Sequence, residues 1–233
     1  MPGMMEFGEV QSTRNGTLSE GHFVSEPTTG RLLFGGAITC RVPSRFVDVS
    51  DIREVPDNQE VLCDYDREES IIIELLEFKS DVSDEDSARW FLQNVAEEQE
   101  AENTVTIEDR RVLTVVDVPH MPTSTVMNAA CGHMTITKTR QFDGLPNIAN
   151  MDTGSGTSTQ HLVKAHLANI RLRNVETDVV ITINEKLDNR PQTPSSTALE
   201  PATPEEVSRI STADLLSLVL RTLKIEDWTL FVS

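Results

Sequence analysis

Apolar and polar positions change their spacing several times along the chain, and each change marks a predicted element. Ala37–Val42 alternates apolar with polar residues and Ser70–Phe78 holds three successive isoleucines, so both segments predict β-strands. Ser83–Glu102 repeats apolar residues at helical spacing behind a serine N-cap, which predicts a helix. Further strands are predicted at Glu60–Cys63, Val105–Ile107, Arg111–Val118, Met134–Arg140, His161–Arg173 and Thr177–Asn184, of which His161–Arg173 is also compatible with a helix.

The C-terminal part of the chain predicts a second helix, from Thr212 to Leu223, with an earlier start at the capping box Thr203–Glu206 as an alternative. Its expected buried face consists of Leu215, Leu218, Val219 and Leu223. The apolar segment WTLFV that follows is expected to pack against the domain. Several antiparallel strands with a few helices between and after them predict an α+β fold, in which helices cover one sheet.

Three polar segments interrupt this pattern. Residues 1–30 are rich in Gly, Ser and Thr without periodicity, so we expect a disordered N-terminal tail. We expect flexible segments near 143–160, which is rich in Gly, Ser, Thr and Asn, and at 188–203, which is rich in Pro and Ser. The remainder of residues 31–233 predicts a single domain, as the length of 233 residues allows.

The charge balance limits the classes of partner. The chain has 38 acidic against 20 basic residues and a net charge of −18, which disfavours nucleic acid and anionic membrane surfaces and favours a basic protein. Three cysteines do not suggest a disulfide framework. Neither a secretory signal nor an apolar run of about 20 residues is visible, so no membrane insertion is expected. We therefore expect a monomer in the nucleus and cytoplasm.

Motifs that suggest chemistry lack their context. Residues 152–155 spell the DTGS of aspartic proteases, but no second DTG exists and no apolar strand precedes the aspartate. Cys131 and His133, even with His120 or His161, match no common zinc spacing. The sequence predicts no catalytic residue, cofactor site or metal site.

The segment Asp48–Glu60 concentrates charge between apolar runs. Ser50 is expected to cap a short helical turn over Asp51–Glu54, and Pro56–Asn58 predicts a tight turn. On composition alone, a solvated loop is an adequate interpretation. Glu74 and Glu77, three residues apart, would face opposite ways on a regular strand, so we expect a bulge or an early strand end near Leu75.

Five segments in this order carry a family resemblance. They are LFGGAI (33–38), VDVSDIREVPDNQEV (47–61), SIIIELLE (70–77), TDVVITIN (177–184) and DLLSLVLRTL (214–223). Together they closely resemble the Ran guanine nucleotide release factors, the Mog family of nuclear import proteins. The resemblance covers about residues 32–231, with little recognisable motif between 80 and 160.

The resemblance implies a three-layer α/β/α sandwich of the PsbP-like kind, with a central, curved, mainly antiparallel sheet of about six strands. It implies binding to the small GTPase Ran and release of its bound nucleotide, GTP, without catalytic chemistry or a cofactor. An acidic adaptor or trafficking chaperone that leaves the nucleotide state unchanged is the alternative.

The resemblance also implies a binding site. The family's Ran-binding acids fall on Asp48, Asp57, Glu60, Glu74 and Glu77. Asp51, Asn58 and Gln59, which lie between them in sequence, complete the expected Ran-binding set. These carboxylates are expected to pair with Lys or Arg side chains of a basic surface on Ran.

Overall fold

The computed structural model describes residues 26–139, 158–187 and 210–231. The helices are α1 (Ser87–Glu98) and α2 (Thr212–Thr222). The strands are β1 (Thr28–Leu33), β2 (Ile38–Pro43), β3 (Val47–Asp48), β4 (Gln59–Asp64), β5 (Glu69–Glu77), β6 (Thr106–Val112), β7 (Val126–Thr139), β8 (Ser158–Leu172), β9 (Thr177–Leu187) and β10 (Lys224–Ile225). Strand β1 thus begins at Thr28, inside the segment predicted as tail.

A seven-stranded sheet in the order β3-β4-β5-β9-β8-β7-β6 forms the middle layer, and every pairing in it is antiparallel. Helix α1 packs on one face of this sheet. Helix α2 and a small sheet, β1-β2-β10, cover the other face. The predicted α+β sandwich is confirmed, with one strand more than expected and a small sheet sharing an outer layer.

Strand β5 is buried on the face under α2 and half-buried on the face under α1, which explains its apolar composition. Ile73 packs in the core under α2, whereas Leu76 packs against the cluster under α1. The strand stays in register with β9 from Glu69 to Glu77. The expected bulge or early strand end is therefore wrong, and Glu74 and Glu77 lie on opposite faces of the sheet.

Helix α1 is shorter than predicted. It starts at Ser87, because the Ser83 hydroxyl accepts the N–H of Asp86 at 3.2 Å and caps a preceding turn instead of the helix. The predicted apolar stripe is largely confirmed. Its buried residues are Ala88, Phe91, Leu92 and Ala96, while Val95 is half-buried.

Helix α2 has almost the predicted bounds. Its N-cap is Ser211, whose hydroxyl accepts the N–H of Asp214 at 3.1 Å, while the alternative start at 203–206 lies outside the described residues. The buried face is Leu215, Leu216, Val219 and Leu220, so the expectation for Leu218 is wrong. The last turn, Trp228–Phe231, packs Leu230 and Phe231 against the core as expected.

The middle of the chain differs most from prediction. The two strands expected between 105 and 118 are one strand, β6, with a register shift between Ile107 and Asp109. Strand β7 begins at Val126 rather than Met134, and the ambiguous segment at 161–173 belongs to strand β8. In the described part of the chain, neither helix has the length and apolar character that a membrane crossing requires.

Candidate partner-binding surface

The predicted binding residues gather at one end of the β4–β5 strand pair. Because the pair is antiparallel, the start of β4 meets the end of β5, and Gln59 lies opposite Glu74. The loop 49–58 leads into this end from the edge strand β3. We call Asp48 at the end of β3, the loop, the start of β4 and the end of β5 together the acidic end.

The carboxylate of Asp48, the last residue of β3, holds the start of the loop 49–58. Asp48 Oδ1 accepts the N–H of Ser50 at 2.8 Å and its hydroxyl at 2.7 Å. Asp48 therefore caps the turn that follows, and the expectation that Ser50 does so is wrong. The N–H of Gln59 donates to the Pro56 carbonyl at 2.9 Å, which forms the predicted tight turn.

Glu60 connects the acidic end to the outer layer. Its carboxylate accepts the backbone N–H of Phe34, which starts the turn Phe34–Gly36. Phe34 has a φ of +50°, a conformation that residues with a side chain rarely adopt. Glu60 therefore stabilises a backbone turn in addition to any contact with a partner.

Glu74 lies on the α1 face and is half-buried. Gln59 Nε2 donates to Glu74 Oε1 at 2.5 Å. Burial raises the pKa of Glu74 and the charge of Glu98 adds to the rise, while the hydrogen bond from Gln59 opposes it. This carboxylate is costly to ionise in the free protein, so a nearby cation would stabilise it.

The other predicted residues lie in solvent. Asp51, Asp57 and Glu77 are exposed. Asn58 is exposed too, although its side-chain amide donates to the Leu75 carbonyl at 3.3 Å. The predicted set therefore surrounds the end of a strand pair and does not form one flat face.

The acids of this end share one electrostatic property. Within the described residues, no Lys, Arg or His pairs with any of their carboxylates. The acids concerned are Asp48, Asp51, Asp57, Glu60, Glu74 and Glu77. Such a cluster is free to bind cations supplied by another molecule.

Comparison with known proteins identifies the family. Residues 31–186 match the family model described as "Ran-interacting Mog1 protein". The chain belongs to the Mog1 family. The matched residues include the whole acidic end.

Relatives within the Mog1 family carry consistent names. A Danio rerio protein named "Ran guanine nucleotide release factor" is 32% identical over 166 residues, which cover 71% of this chain and 82% of the relative. A Dictyostelium discoideum protein named "Probable ran guanine nucleotide release factor" is 27% identical over 210 residues, which cover 90% of this chain and 99% of the relative.

A solved structure supports the Mog1 fold. The crystal structure of the Saccharomyces cerevisiae Ran-binding protein Mog1p aligns with a TM-score of 0.55 and 24% identity. The alignment covers 89% of this chain and 100% of that chain. At this identity the likeness establishes the fold alone.

Two exposed apolar residues beside the acids of the acidic end were not predicted from the sequence. Val47 on the edge strand is 44% exposed, and Ile52 in the acidic loop is 66% exposed. Exposed apolar residues beside charged ones are typical of protein interfaces. The sequence signal is the stretch VDVSDI, in which three apolar residues are separated by polar ones. In the structure only Val49 of these three is buried.

Two motifs that lack their chemical context in the sequence are Cys131 with His133 and the DTGS segment. Cys131 and His133 both contact Glu108, at 3.5 and 3.1 Å, and burial raises the pKa of the Cys131 thiol. Among the described residues, no group of three or more His, Cys, Asp or Glu side chains could hold a metal ion. The DTGS segment at 152–155 lies outside the described residues.

Proposed function

We propose that this chain binds the small GTPase Ran and promotes release of its bound guanine nucleotide, GTP, in support of nuclear protein import. The observation that carries the proposal is the acidic end, where six carboxylates have no cation of their own chain among the described residues. The family match covers this end, and relatives of similar length carry the release-factor name.

Binding energy at this end has two sources. Exposed carboxylates such as Asp57 and Glu77 attract a cationic surface and raise the association rate. Ile52 and Val47, which are exposed beside them, can be buried on contact and slow dissociation.

Nucleotide release then follows from linkage between two binding equilibria. If the chain binds nucleotide-free Ran more tightly than loaded Ran, it must weaken nucleotide binding by the same factor. No bond is made or broken in this scheme, so no catalytic side chain is needed. A carboxylate that competes with phosphate for a lysine, or with a magnesium ligand, would produce the effect.

The proposal is tested by measuring release of fluorescent GTP from Ran with and without this chain, together with its affinity for loaded and nucleotide-free Ran. We expect faster release and tighter binding to nucleotide-free Ran. Equal affinity for both states would contradict the release function and support the acidic adaptor instead, because equal affinity cannot shift an equilibrium.

Salt dependence is a second test. Affinity is expected to fall as ionic strength rises beyond about 0.15 M, where the screening length is about 8 Å. An affinity for Ran that does not change with salt would argue against recognition through the acidic end.

A further inference from the structure

A second exposed surface lies where β6 ends. Val112 is 71% exposed, Val115 41% and Val116 73%. Single exposed apolar residues are common on proteins and need no explanation. Three valines within one short segment are a cluster, which we call the valine knob.

The valine knob is held rigidly. The backbone N–H and the hydroxyl of Thr114 donate to Asp117 Oδ2 at 2.9 and 3.1 Å. In return, the N–H groups of Asp117 and Val118 donate to the Thr114 carbonyl at 2.9 and 3.0 Å. Val118 is fully buried and anchors the turn in the core under α2, so Val115 and Val116 are kept in solvent by a closed hydrogen-bonded turn.

Strand directions place the valine knob at the same end of the sheet as the acidic end. Glu77 at the end of β5 pairs with Thr177, Leu172 of β8 pairs with Thr177, and Asn128 near the start of β7 pairs with Val112 at the end of β6. In the order β4-β5-β9-β8-β7-β6, the valine knob at β6 lies four strand spacings from β5 and five from β4, or about 19 to 24 Å at roughly 4.8 Å each.

This separation fits a single partner. A standard protein interface covers about 800 Å² on each side, which corresponds to a patch roughly 30 Å across. One globular protein docked on this end of the sheet can therefore contact both surfaces. The two surfaces offer different kinds of contact, since the acidic end is mainly charged and the valine knob is apolar.

We infer that the valine knob is a second contact with Ran, in which Val115 and Val116 are buried against the partner. The inference rests on the proposed function. The carboxylates of the acidic end set the association rate and the orientation of the partner, whereas burial of the knob valines, like that of Val47 and Ile52, lengthens the lifetime of the complex.

The test is the double variant Val115→Ser/Val116→Ser, which leaves the Thr114–Asp117 turn intact. The matched control is Tyr65→Ser, because Tyr65 is 59% exposed at the opposite end of β4. We expect the double variant to bind Ran about tenfold more weakly through faster dissociation, with an unchanged association rate and salt dependence, as for loss of an apolar interface anchor. Tyr65→Ser should bind as the wild type does, and circular dichroism should show all three proteins folded.

The measurements distinguish a failure of the inference about the valine knob from a failure of the proposed function. If the wild type binds Ran and the double variant binds equally well, the inference is overturned while the proposed function stands. If Tyr65→Ser weakens binding as much as the double variant, the effect is not specific to the knob, and the inference is again overturned. If the wild type does not bind Ran, the inference fails together with the proposed function.

Discussion

The two ends of the β4–β5 strand pair treat their acidic residues in opposite ways. At one end, Asp64 and Glu69 are buried, and Arg45 Nη1 lies 2.7 and 2.6 Å from their carboxylates. At the acidic end, Asp57 and Glu77 are exposed and no cation of the described chain approaches them.

The difference separates acids that serve the fold from acids available to a partner. A buried carboxylate without a cation would cost several kcal/mol, so the chain supplies Arg45, and Arg67 together with Glu26 completes the group. Burial would raise the pKa of Asp64, but hydrogen bonds from Arg45 and from two backbone N–H groups lower it instead. The exposed carboxylates of the acidic end, such as Asp57 and Glu77, need no such support, because water solvates them until a partner binds.

The largest effect is expected at the end of the strand pair that holds Asp64 and Glu69, which we call the buried end. Arg45→Met removes the arginine that lies nearest to the buried carboxylates of Asp64 and Glu69 and should reduce the free energy of unfolding by about 3–5 kcal/mol in urea denaturation. Because the pKa of Asp64 lies below its ordinary value of 3.8, its contribution to wild-type stability is lost as pH falls through the folded pKa. The difference in the free energy of unfolding between the wild type and Arg45→Met should therefore become smaller as the pH falls.

The control for this prediction is Arg53→Met, since Arg53 is exposed and forms no ion pair within the described residues. Its free energy of unfolding should change by no more than about 0.5 kcal/mol. Equal losses in Arg45→Met and Arg53→Met would contradict the assignment of the buried end to stability.

A smaller effect on stability is expected within the acidic end, where Glu60 and Asp57 can be compared. Glu60→Ala leaves the half-buried N–H of Phe34 without its carboxylate acceptor, which should cost about 1 kcal/mol of stability. Asp57→Ala should cost nothing measurable, because its carboxylate is exposed and forms no hydrogen bond or ion pair within the described residues. Identical urea midpoints for the two variants would show that Glu60 has no structural role.

The smallest effect concerns the pH dependence of Glu74. Its pKa is raised above the ordinary value of 4.5, so the folded state holds its proton longer than the unfolded state does. Wild-type stability should therefore fall as pH rises from 4.5 through the folded pKa. Glu74→Gln should remove this fall and be the more stable protein above that window, with the difference vanishing below pH 4.5.

Glu77→Gln is the matched control for Glu74, because Glu77 is exposed on the opposite face of the same strand. Both substitutions remove one negative charge from the same strand, so a change in the pH dependence of stability that occurs only in Glu74→Gln is due to the burial of Glu74. A stability curve for Glu74→Gln that parallels the wild type at every pH would contradict the effect of burial on this carboxylate.

The sequence predicted the elements with strong local signals. The isoleucines of β5 and the apolar stripes of the two helices marked their elements because burial requires those patterns. Strand β6 was predicted poorly, since TIEDRRV at the sheet edge is almost entirely exposed and has no apolar period. Helix α1 was predicted too long because Ser83 caps a separate turn.

The binding role of the candidate residues stays a prediction, whereas their arrangement comes from the structure. The resemblance placed five acids in one set, to which Asp51, Asn58 and Gln59 were added as neighbours in sequence, and the β4–β5 pairing with the loop 49–58 brings the set to one end of this strand pair. Sequence could not show that Gln59 and Glu74 share the α1 face, or that Glu60 accepts a hydrogen bond from Phe34. Both contacts join residues that are far apart along the chain, so only the folded structure reveals them.

The most direct test of the account compares two charge reversals that change the net charge equally. Asp57→Lys/Glu77→Lys alters the acidic end, whereas Asp66→Lys/Glu97→Lys alters exposed acids elsewhere. Affinity for nucleotide-free Ran, measured by titration calorimetry, should fall about a hundredfold in the first pair and change little in the second. Equal affinities for the two variants would contradict recognition of Ran through the acidic end.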